Sequence, residues 1–174
     1  MHCSEIDWRH SWISRVLAAL DRALVGLEAE FDDGLDLLER AESLVGLGYV
    51  AIQVYIHGAA ADLAKLFPGR CPVPRKLRSS KSPLANNADV TCVECIWAAA
   101  NYFKHHDAWH NWEADCHRGT LSALKRLGIS KKTAFPCVEV LRRLQGDDWR
   151  LAPLLHVARS WRKSWLMKLK DAVP

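Results

Sequence analysis

Apolar residues recur at steps of three and four along nearly the whole chain, and this spacing constrains the fold more than any other feature. It predicts one long helix from about Ser4 to Glu30 and a second that follows the turn at Asp32-Asp33-Gly34. The short linker between the two helices predicts that they pack antiparallel. No segment alternates apolar and polar residues as a half-buried strand does. The sequence therefore predicts an all-α fold, a helical bundle with two long antiparallel helices and several shorter helices.

The second long helix is apolar on most of its faces after Leu44, which predicts a central position in the bundle. Gly46 and Gly48 lower its helix propensity, so we expect that they allow a neighbouring helix to approach closely. Residues 44–64 are mostly apolar, but Gln53 and other polar side chains interrupt them. We interpret this segment as a buried helix and not as a membrane span.

A chain of 174 residues, 49% of them hydrophobic, is long enough to bury one core, so we expect a single domain over residues 1–174. The N-terminus lacks the basic and apolar stretches of a signal peptide, and we expect a cytoplasmic protein with reduced cysteines. Residues 1–66 contain 5 Lys and Arg against 11 Asp and Glu, whereas residues 67–174 contain 19 against 9. The basic second half suits an anionic partner such as nucleic acid, or it complements the acidic half within or between subunits.

Residues 67–90 interrupt the helical pattern with four prolines, a serine cluster and five basic residues. This composition predicts a long basic loop rich in proline. The loop is either an ordinary linker or a flap that attracts phosphate groups. Its candidate RNA-binding residues are Arg70, Arg75, Lys76 and Arg78.

The third helix is predicted to begin at Thr91, because Thr91 and Glu94 have the spacing of a capping box. Its apolar positions predict that it continues to about His106. Three further helices are predicted from glycine, proline and apolar spacing. They run from Thr120 to Gly128, from Val138 to Gln145 with Pro136 in the first turn, and from Pro153 onward.

The scarcest chemical groups of the chain lie together at the end of the third helix. Positions four apart share one face of a helix, so Trp97, Asn101 and His105 lie on one face with Lys104 beside them. The amide donates and accepts hydrogen bonds, the ammonium group only donates, and the imidazole exchanges a proton near neutral pH. These groups suit the removal of a proton from a ribose hydroxyl while a phosphate is held. The expected supporting residues are Trp97, His106, Asp107, Trp109 and His110.

Residues 100–105, with the sequence ANYFKH, resemble the motif of the HEPN superfamily of helical nucleotide-binding domains. The family motif is an arginine, usually followed by a polar residue such as asparagine, then three variable residues and a histidine. Asn101 and His105 match this motif, whereas Ala100 stands at the arginine position. The preceding pair of long helices is also similar, so the resemblance covers roughly residues 1–110.

The resemblance implies a metal-independent endoribonuclease or RNA-binding protein, without a cofactor, in a toxin–antitoxin or antiphage defence system. It also implies a homodimer that binds RNA or a nucleotide. In such an enzyme His105 would act as general acid or base for attack of the ribose 2′-OH on the adjacent phosphate. Asn101 would position the phosphate or the histidine, and Lys104 would stabilise developing charge. The alanine at position 100 favours the alternative, a non-catalytic helical interaction or regulatory protein of such a system with a partner protein.

Cys92 and Cys95 form a Cys-x2-Cys pair, and Cys116 and His117 follow further along the chain, as in some zinc sites. The first pair falls within a predicted helix, whereas structural zinc pairs usually lie in tight turns. We therefore interpret these cysteines as buried thiols and predict no metal site.

Overall fold

The computed structural model describes residues 7–30, 34–80, 82, 85 and 89–172. Within these residues the chain forms helices and no strand, which confirms the predicted all-α helical bundle. The helices in chain order are α1 (Trp8–Glu30), α2 (Gly34–Leu66), α3 (Pro74–Arg78), α4 (Cys92–His105), α5 (Trp112–Asp115), α6 (Arg118–Arg126), α7 (Pro136–Gln145) and α8 (Ala152–Asp171). A 3₁₀ turn, His106–Ala108, follows α4.

The two long helices pack antiparallel as predicted. Arg9 near the start of α1 forms an ion pair with Asp62 near the end of α2. Just before α1, Asp7 accepts a hydrogen bond from the Tyr55 hydroxyl and lies 3.8 Å from the guanidinium of Arg162 on α8. These contacts attach the beginning of the described chain to two other helices. The predicted start of the first helix near Ser4 lies outside the described residues, and so do Asp32 and Asp33 of the predicted turn. Gly34, the last residue of that turn, is the first residue of α2.

α2 is the central helix of the bundle and packs against α1, α4, α7 and α8. By length and composition it is apolar enough to cross a membrane, and 56% of its most apolar window is buried inside the protein. The central helix of a helical bundle is equally apolar, because most of its sides pack against other helices. In the same way, α2 packs against four helices. Its outer side remains exposed.

Both central glycines of α2 lie at close helix contacts, which confirms their predicted role. A Cβ atom at Gly46 would overlap the ring of Phe103 on α4. A Cβ atom at Gly48 would meet the side chain of Leu151, at the start of α8. The missing side chains therefore allow α4 and α8 to lie close to the middle of α2.

The segment at residues 67–90 contains the short helix α3 and is anchored to the core, whereas its composition predicted only a loop. Leu77 is buried, and its backbone carbonyl accepts hydrogen bonds from the indole Nε1–H groups of Trp161 at 2.8 Å and Trp165 at 3.1 Å. Because both indole groups are buried, each needs an acceptor, and this single carbonyl serves both. The anchor fixes the position of Arg78, the next residue.

The predicted capping box at the start of α4 is present. Thr91 Oγ1 accepts from the N–H of Glu94 at 3.2 Å, and the Glu94 carboxylate accepts from the N–H of Thr91 at 3.1 Å. The start of α7 is capped differently. Glu42 on α2 accepts hydrogen bonds from the N–H groups of Cys137 and Val138 at 2.8 and 2.9 Å, which joins the first turn of α7 to the central helix.

The later helices begin slightly earlier than the sequence predicted. α6 begins at Arg118 and not at Thr120, because the His117 ring caps it. α7 begins at Pro136, which occupies the first helical turn, and ends at Gln145, followed by the cap residue Gly146 with a φ of 68°. The stretch before α6 contains the one-turn helix α5, which was not among the predicted helices.

Candidate functional site

A groove of about 600 Å³ lies between α4 and α6. α4 contributes Trp97 and Asn101 to its wall, α6 contributes Thr120 and Arg126, and Arg78 reaches it from the end of α3. The groove therefore joins the third helix to α6, which the sequence did not connect with it, and to the basic segment, for which a flap that attracts phosphate groups was one of the two interpretations. Its volume lies in the range of roughly 300–1,000 Å³ that is usual for ligand sites.

Positive charge dominates the groove. Arg78, Arg118 and Arg126 line it, and the one acidic residue among the lining residues is Glu94. One oxygen of the Glu94 carboxylate, Oε2, accepts hydrogen bonds from the N–H and the hydroxyl of Thr91 at the start of α4. Arg126 donates one hydrogen bond to the backbone carbonyl of Asp89 at 2.8 Å, which leaves other N–H groups of its guanidinium for a ligand. Three guanidinium groups against one engaged carboxylate make this groove suitable for an anion.

Arg78 and Trp97 form a stacked pair in the wall of the groove. The guanidinium carbon of Arg78 lies 4.0 Å from the centroid of the Trp97 ring, a cation–π contact. The His57 ring lies 6.3 Å from the same indole. A second cavity of about 110 Å³ is lined by Arg78, Trp97 and His57, so the pair separates it from the groove. The stack holds the long Arg78 side chain in place beside the groove.

A directed chain of hydrogen bonds connects three helices behind the groove. Lys104 Nζ donates to Gln53 Oε1 at 2.7 Å, Gln53 Nε2 donates to Asn101 Oδ1 at 2.9 Å, and Asn101 Nδ2 donates to Thr120 Oγ1 at 3.2 Å. Gln53 is 6% exposed and Thr120 is 3% exposed, so these two of the four residues are shielded from water. These contacts fix the orientation of the Asn101 amide at the groove wall and leave its second N–H for a ligand.

The structure separates His105 from the groove. His105 is the last residue of α4, is exposed and is not among the groove residues. Within the described part of the chain its side chain has no hydrogen bond or ion pair. Lys104 is also exposed, and its ammonium group is held by Gln53. Of the three residues assigned to chemistry, Asn101 alone therefore lines the groove, while His110 is exposed further along the chain.

The supporting aromatic residues form a cluster beyond the end of α4. The rings of Tyr102 and His106 stack at a centroid distance of 4.8 Å, and Trp109 meets Tyr102 edge-on at 5.8 Å. His106 Nδ1 lies 3.1 Å from the carbonyl oxygen of Phe103, and His106 Nε2 lies 3.1 Å from an oxygen of Asp107. Burial raises the pKa of the Tyr102 hydroxyl above its ordinary value of 10.0. None of these residues lines the groove, and their ring contacts hold the chain that leads from α4 to α5.

Of the predicted basic residues in the segment at residues 67–90 whose side chains the structure describes, Arg78 alone lines the groove. Arg70 is exposed and donates a hydrogen bond to the carbonyl of Ala172 at 3.4 Å. Lys76 is exposed, and the side chain of Arg75 lies outside the described part of the structure.

Sequence reasoning did not identify His117, Arg118 and Arg126 as groove residues. The signal available was the spacing of the two arginines, which are eight positions apart and therefore lie on one side of α6. His117 Nδ1 accepts a hydrogen bond from the N–H of Gly119 at 3.2 Å. In the neutral ring the proton is then on Nε2, so His117 offers a hydrogen-bond donor to the groove and no base.

The cysteines behave as buried thiols. Cys92 and Cys95 lie in α4, and all five cysteines in the described residues are free. Burial raises the pKa of Cys95 and of Cys137 above the ordinary value of 9.0, which makes both thiols poor nucleophiles. Among the described residues no group of three or more histidine, cysteine or acidic side chains is arranged to hold a metal ion.

Comparison of the chain with protein-family models, curated proteins and solved structures finds no match.

Proposed function

We propose that this chain is a HEPN-like RNA-binding domain and that the groove between α4 and α6 holds RNA phosphates. The observation that carries the proposal is the convergence of Arg78, Arg118 and Arg126 on one groove whose single carboxylate is engaged elsewhere. Arginine binds phosphate oxygens through two parallel N–H groups, and such contacts supply most of the affinity of proteins for nucleic acids.

The neutral residues of the groove support RNA over a simple inorganic anion. Asn101 and His117 offer hydrogen-bond donors, and the Thr120 hydroxyl can donate to a ligand while it accepts from Asn101. Such groups recognise ribose hydroxyls and base edges, whereas the arginines recognise the backbone. Trp97 adds an aromatic surface of the kind on which bases stack, although Arg78 occupies one part of it. The toxin–antitoxin or antiphage setting enters this proposal through the sequence resemblance alone.

The test is the binding of a fluorescent single-stranded RNA, followed by anisotropy at several salt concentrations. The variant Arg118→Gln/Arg126→Gln removes two groove cations, and we expect the Kd to rise about tenfold or more. The slope of log K against log salt should become less steep by about 0.7 for each lost phosphate contact. The matched control is Arg159→Gln/Lys163→Gln, which removes the same charge from exposed positions on α8 outside the groove. Equal affinity of the two variants would contradict the proposal, because binding would then depend on net charge and not on the groove.

The ribonuclease hypothesis is tested with the same RNA in the presence of a chelator. Cleavage that survives the chelator and is lost in His105→Ala would assign catalysis to the end of α4. Binding without cleavage would support the non-catalytic alternative. The geometry favours binding, since His105 does not line the groove and His117 Nδ1 already accepts the hydrogen bond from the N–H of Gly119.

A further inference from the structure

A cavity beside the groove plays no part in the phosphate site proposed above. It has a volume of about 110 Å³ and lies between the C-terminal part of α2, the short helix α3 and Trp97 of α4. Small side chains on α2, among them Ala60, Ala61 and Ala64, leave this space unfilled. We refer to the cavity between these alanines, Pro74 and Trp97 as the side cleft. Ala61 and Ala64 are exposed, so the side cleft opens to solvent.

The walls of the side cleft are fixed to the core of the bundle. The two hydrogen bonds from buried indoles to the Leu77 carbonyl hold α3 in place. Gln53 Nε2, which donates to Asn101, also donates to the backbone carbonyl of Trp97 at 3.4 Å. The guanidinium of Arg78 stacks on the Trp97 ring at 4.0 Å. The cleft therefore exists without a ligand, as is usual for sites that bind small molecules.

The side chains around the cleft suit a flat aromatic ring with polar edges. The Trp97 indole provides a stacking surface, and the rest of the cleft is largely apolar. The centroid of the His57 ring lies 6.3 Å from that of the indole, compared with 4.8 Å in the stacked pair of Tyr102 and His106. His57 therefore lines the cleft without covering the indole. Among the described residues neither nitrogen of the His57 ring has a hydrogen-bond partner, which leaves a donor and an acceptor for the edge of a base.

The volume of the side cleft matches a single six-membered ring. A fully enclosed apolar cavity of roughly 150 Å³ holds one benzene molecule. The side cleft is somewhat smaller, but a ring bound there can leave one edge in the opening to solvent. A pyrimidine has one such ring, whereas the second ring of a purine would have to remain outside the cleft. The size therefore favours a pyrimidine base.

The side cleft adjoins the groove, because Arg78 and Trp97 line both cavities. One nucleotide can therefore place its phosphate among the arginines of the groove and its base in the cleft. Single-stranded RNA presents unpaired bases in this way, and proteins stack them on aromatic side chains and on the planes of arginine guanidinium groups. We propose that the side cleft binds the pyrimidine base of a single-stranded RNA whose phosphates lie in the groove. This inference rests on the proposed function and adds base selectivity to it.

The first test compares ribose–phosphate oligomers of one length that differ only in their bases, with binding followed by fluorescence anisotropy. One oligomer is fully abasic, and the other two carry a single central uracil or a single central adenine. In the wild type the uracil should lower the Kd about fivefold or more relative to the abasic oligomer, and the adenine should lower it less.

The outcomes of this comparison separate the cleft from the groove. Equal Kd values for the abasic and uracil oligomers would overturn the side cleft as a base site and leave the phosphate groove intact. A gain from adenine as large as that from uracil would overturn the assignment to a pyrimidine. Failure of all three oligomers to bind would contradict the proposed function itself, and the base site with it.

The second test fills the cleft and leaves every cation in place. Ala64 lines the cleft at an exposed position, so Ala64→Leu adds bulk there without entering the core. This variant should bind the abasic oligomer as the wild type does and should lose the gain from uracil. Its salt dependence should be unchanged, because no phosphate contact is removed. Retention of the full uracil gain in Ala64→Leu would overturn the proposal.

Two control proteins accompany Ala64→Leu. Ala19→Leu makes the same substitution at an exposed position of α1 that lines neither cavity, and it should keep the uracil gain. Loss of the gain in both leucine variants would mean that the cleft is not its source. Arg118→Gln/Arg126→Gln should weaken the binding of all three oligomers by a similar factor, since it removes phosphate contacts and leaves the cleft unchanged.

The third test locates the base directly. An oligomer that carries 4-thiouracil in place of the uracil is crosslinked to the protein with long-wave ultraviolet light, and the attached peptide is identified by mass spectrometry. We expect attachment to Trp97 or to the α2 peptide that contains His57. Attachment confined to α6 would place the base in the groove and overturn the side cleft as its site.

Discussion

Replacement of Gly46 by alanine should destabilise the protein through the contact between α2 and α4. A Cβ atom at this position would overlap the Phe103 ring close to its attachment point, so the side chain cannot simply swing its far end away. Overpacking of this kind costs about 1–3 kcal/mol. Alanine also improves helix propensity over glycine by about 1 kcal/mol, and the two effects oppose each other. A matched control is needed to separate them.

Gly26→Ala in α1 provides the control, because a Cβ atom there meets no atom within 4 Å. It gains the same helix propensity without a clash, so the difference between the two variants isolates the packing effect. We expect Gly46→Ala to unfold at a temperature about 2–12 °C below that of Gly26→Ala, as 1 kcal/mol corresponds to about 2–4 °C in a domain of this size. The measurement is thermal unfolding followed by circular dichroism. Equal melting temperatures would refute the close packing of α4 on α2 and, with it, the position of Asn101 at the groove.

Three other predictions test the supports of the fold. Burial raises the pKa of Glu42 above its ordinary value of 4.5, although the N–H groups of the α7 cap oppose this shift. The folded protein therefore binds the proton of Glu42 more tightly than the unfolded chain does. The free energy of unfolding of the wild type should fall as the pH rises from 4.5 to the raised pKa of Glu42. Urea titrations at several pH values should show that the free energy of unfolding of Glu42→Gln lacks this decline. The same pH profile in the wild type and in Glu42→Gln would contradict the prediction. Burial raises the pKa of the Cys116 thiol to about 11. Iodoacetamide at pH 8 should therefore alkylate the half-buried Cys71 before Cys116, which mass spectrometry of the labelled protein would show. Alkylation of Cys116 before Cys71 would argue against the burial of Cys116. Trp161→Phe removes one of the two indole hydrogen bonds to the Leu77 carbonyl, so limited proteolysis in the segment at residues 67–80 should become faster. An unchanged rate of proteolysis would mean that this hydrogen bond does not anchor the segment.

Much of the fold could be predicted from the sequence because local spacing determines helices. The stripes of apolar residues predicted both long helices, and the spacing of Thr91 and Glu94 predicted the start of α4. The two glycines of α2 indicated close helix contacts, but their partners, Phe103 and Leu151, lie far away in the sequence. α3 was not predicted, since its stability depends on the burial of Leu77 under helices from the other end of the chain.

The candidate site was predicted in part. Asn101 lies in the groove wall, while His105, four positions later, is exposed at the end of the same helix and does not line the groove. Two residues on the same face of a helix need not belong to the same site near the end of that helix. Residues one turn apart are separated by about 5 Å along the helix axis. The arginines of α6 were missed because their role depends on which helix lies opposite them.

The sequence by itself determined that this chain is a helical bundle, that its second helix is central and that its basic residues follow an acidic half. These properties depend on residues close together in the chain, whose spacing fixes helical faces. Tertiary structure alone decided which cations meet in one groove and which side of α2 remains exposed. The groove depends on how α3, α4 and α6 are placed, and the exposed side of α2 depends on the packing of α1, α4, α7 and α8 against it. No local pattern encodes the position of a neighbouring helix.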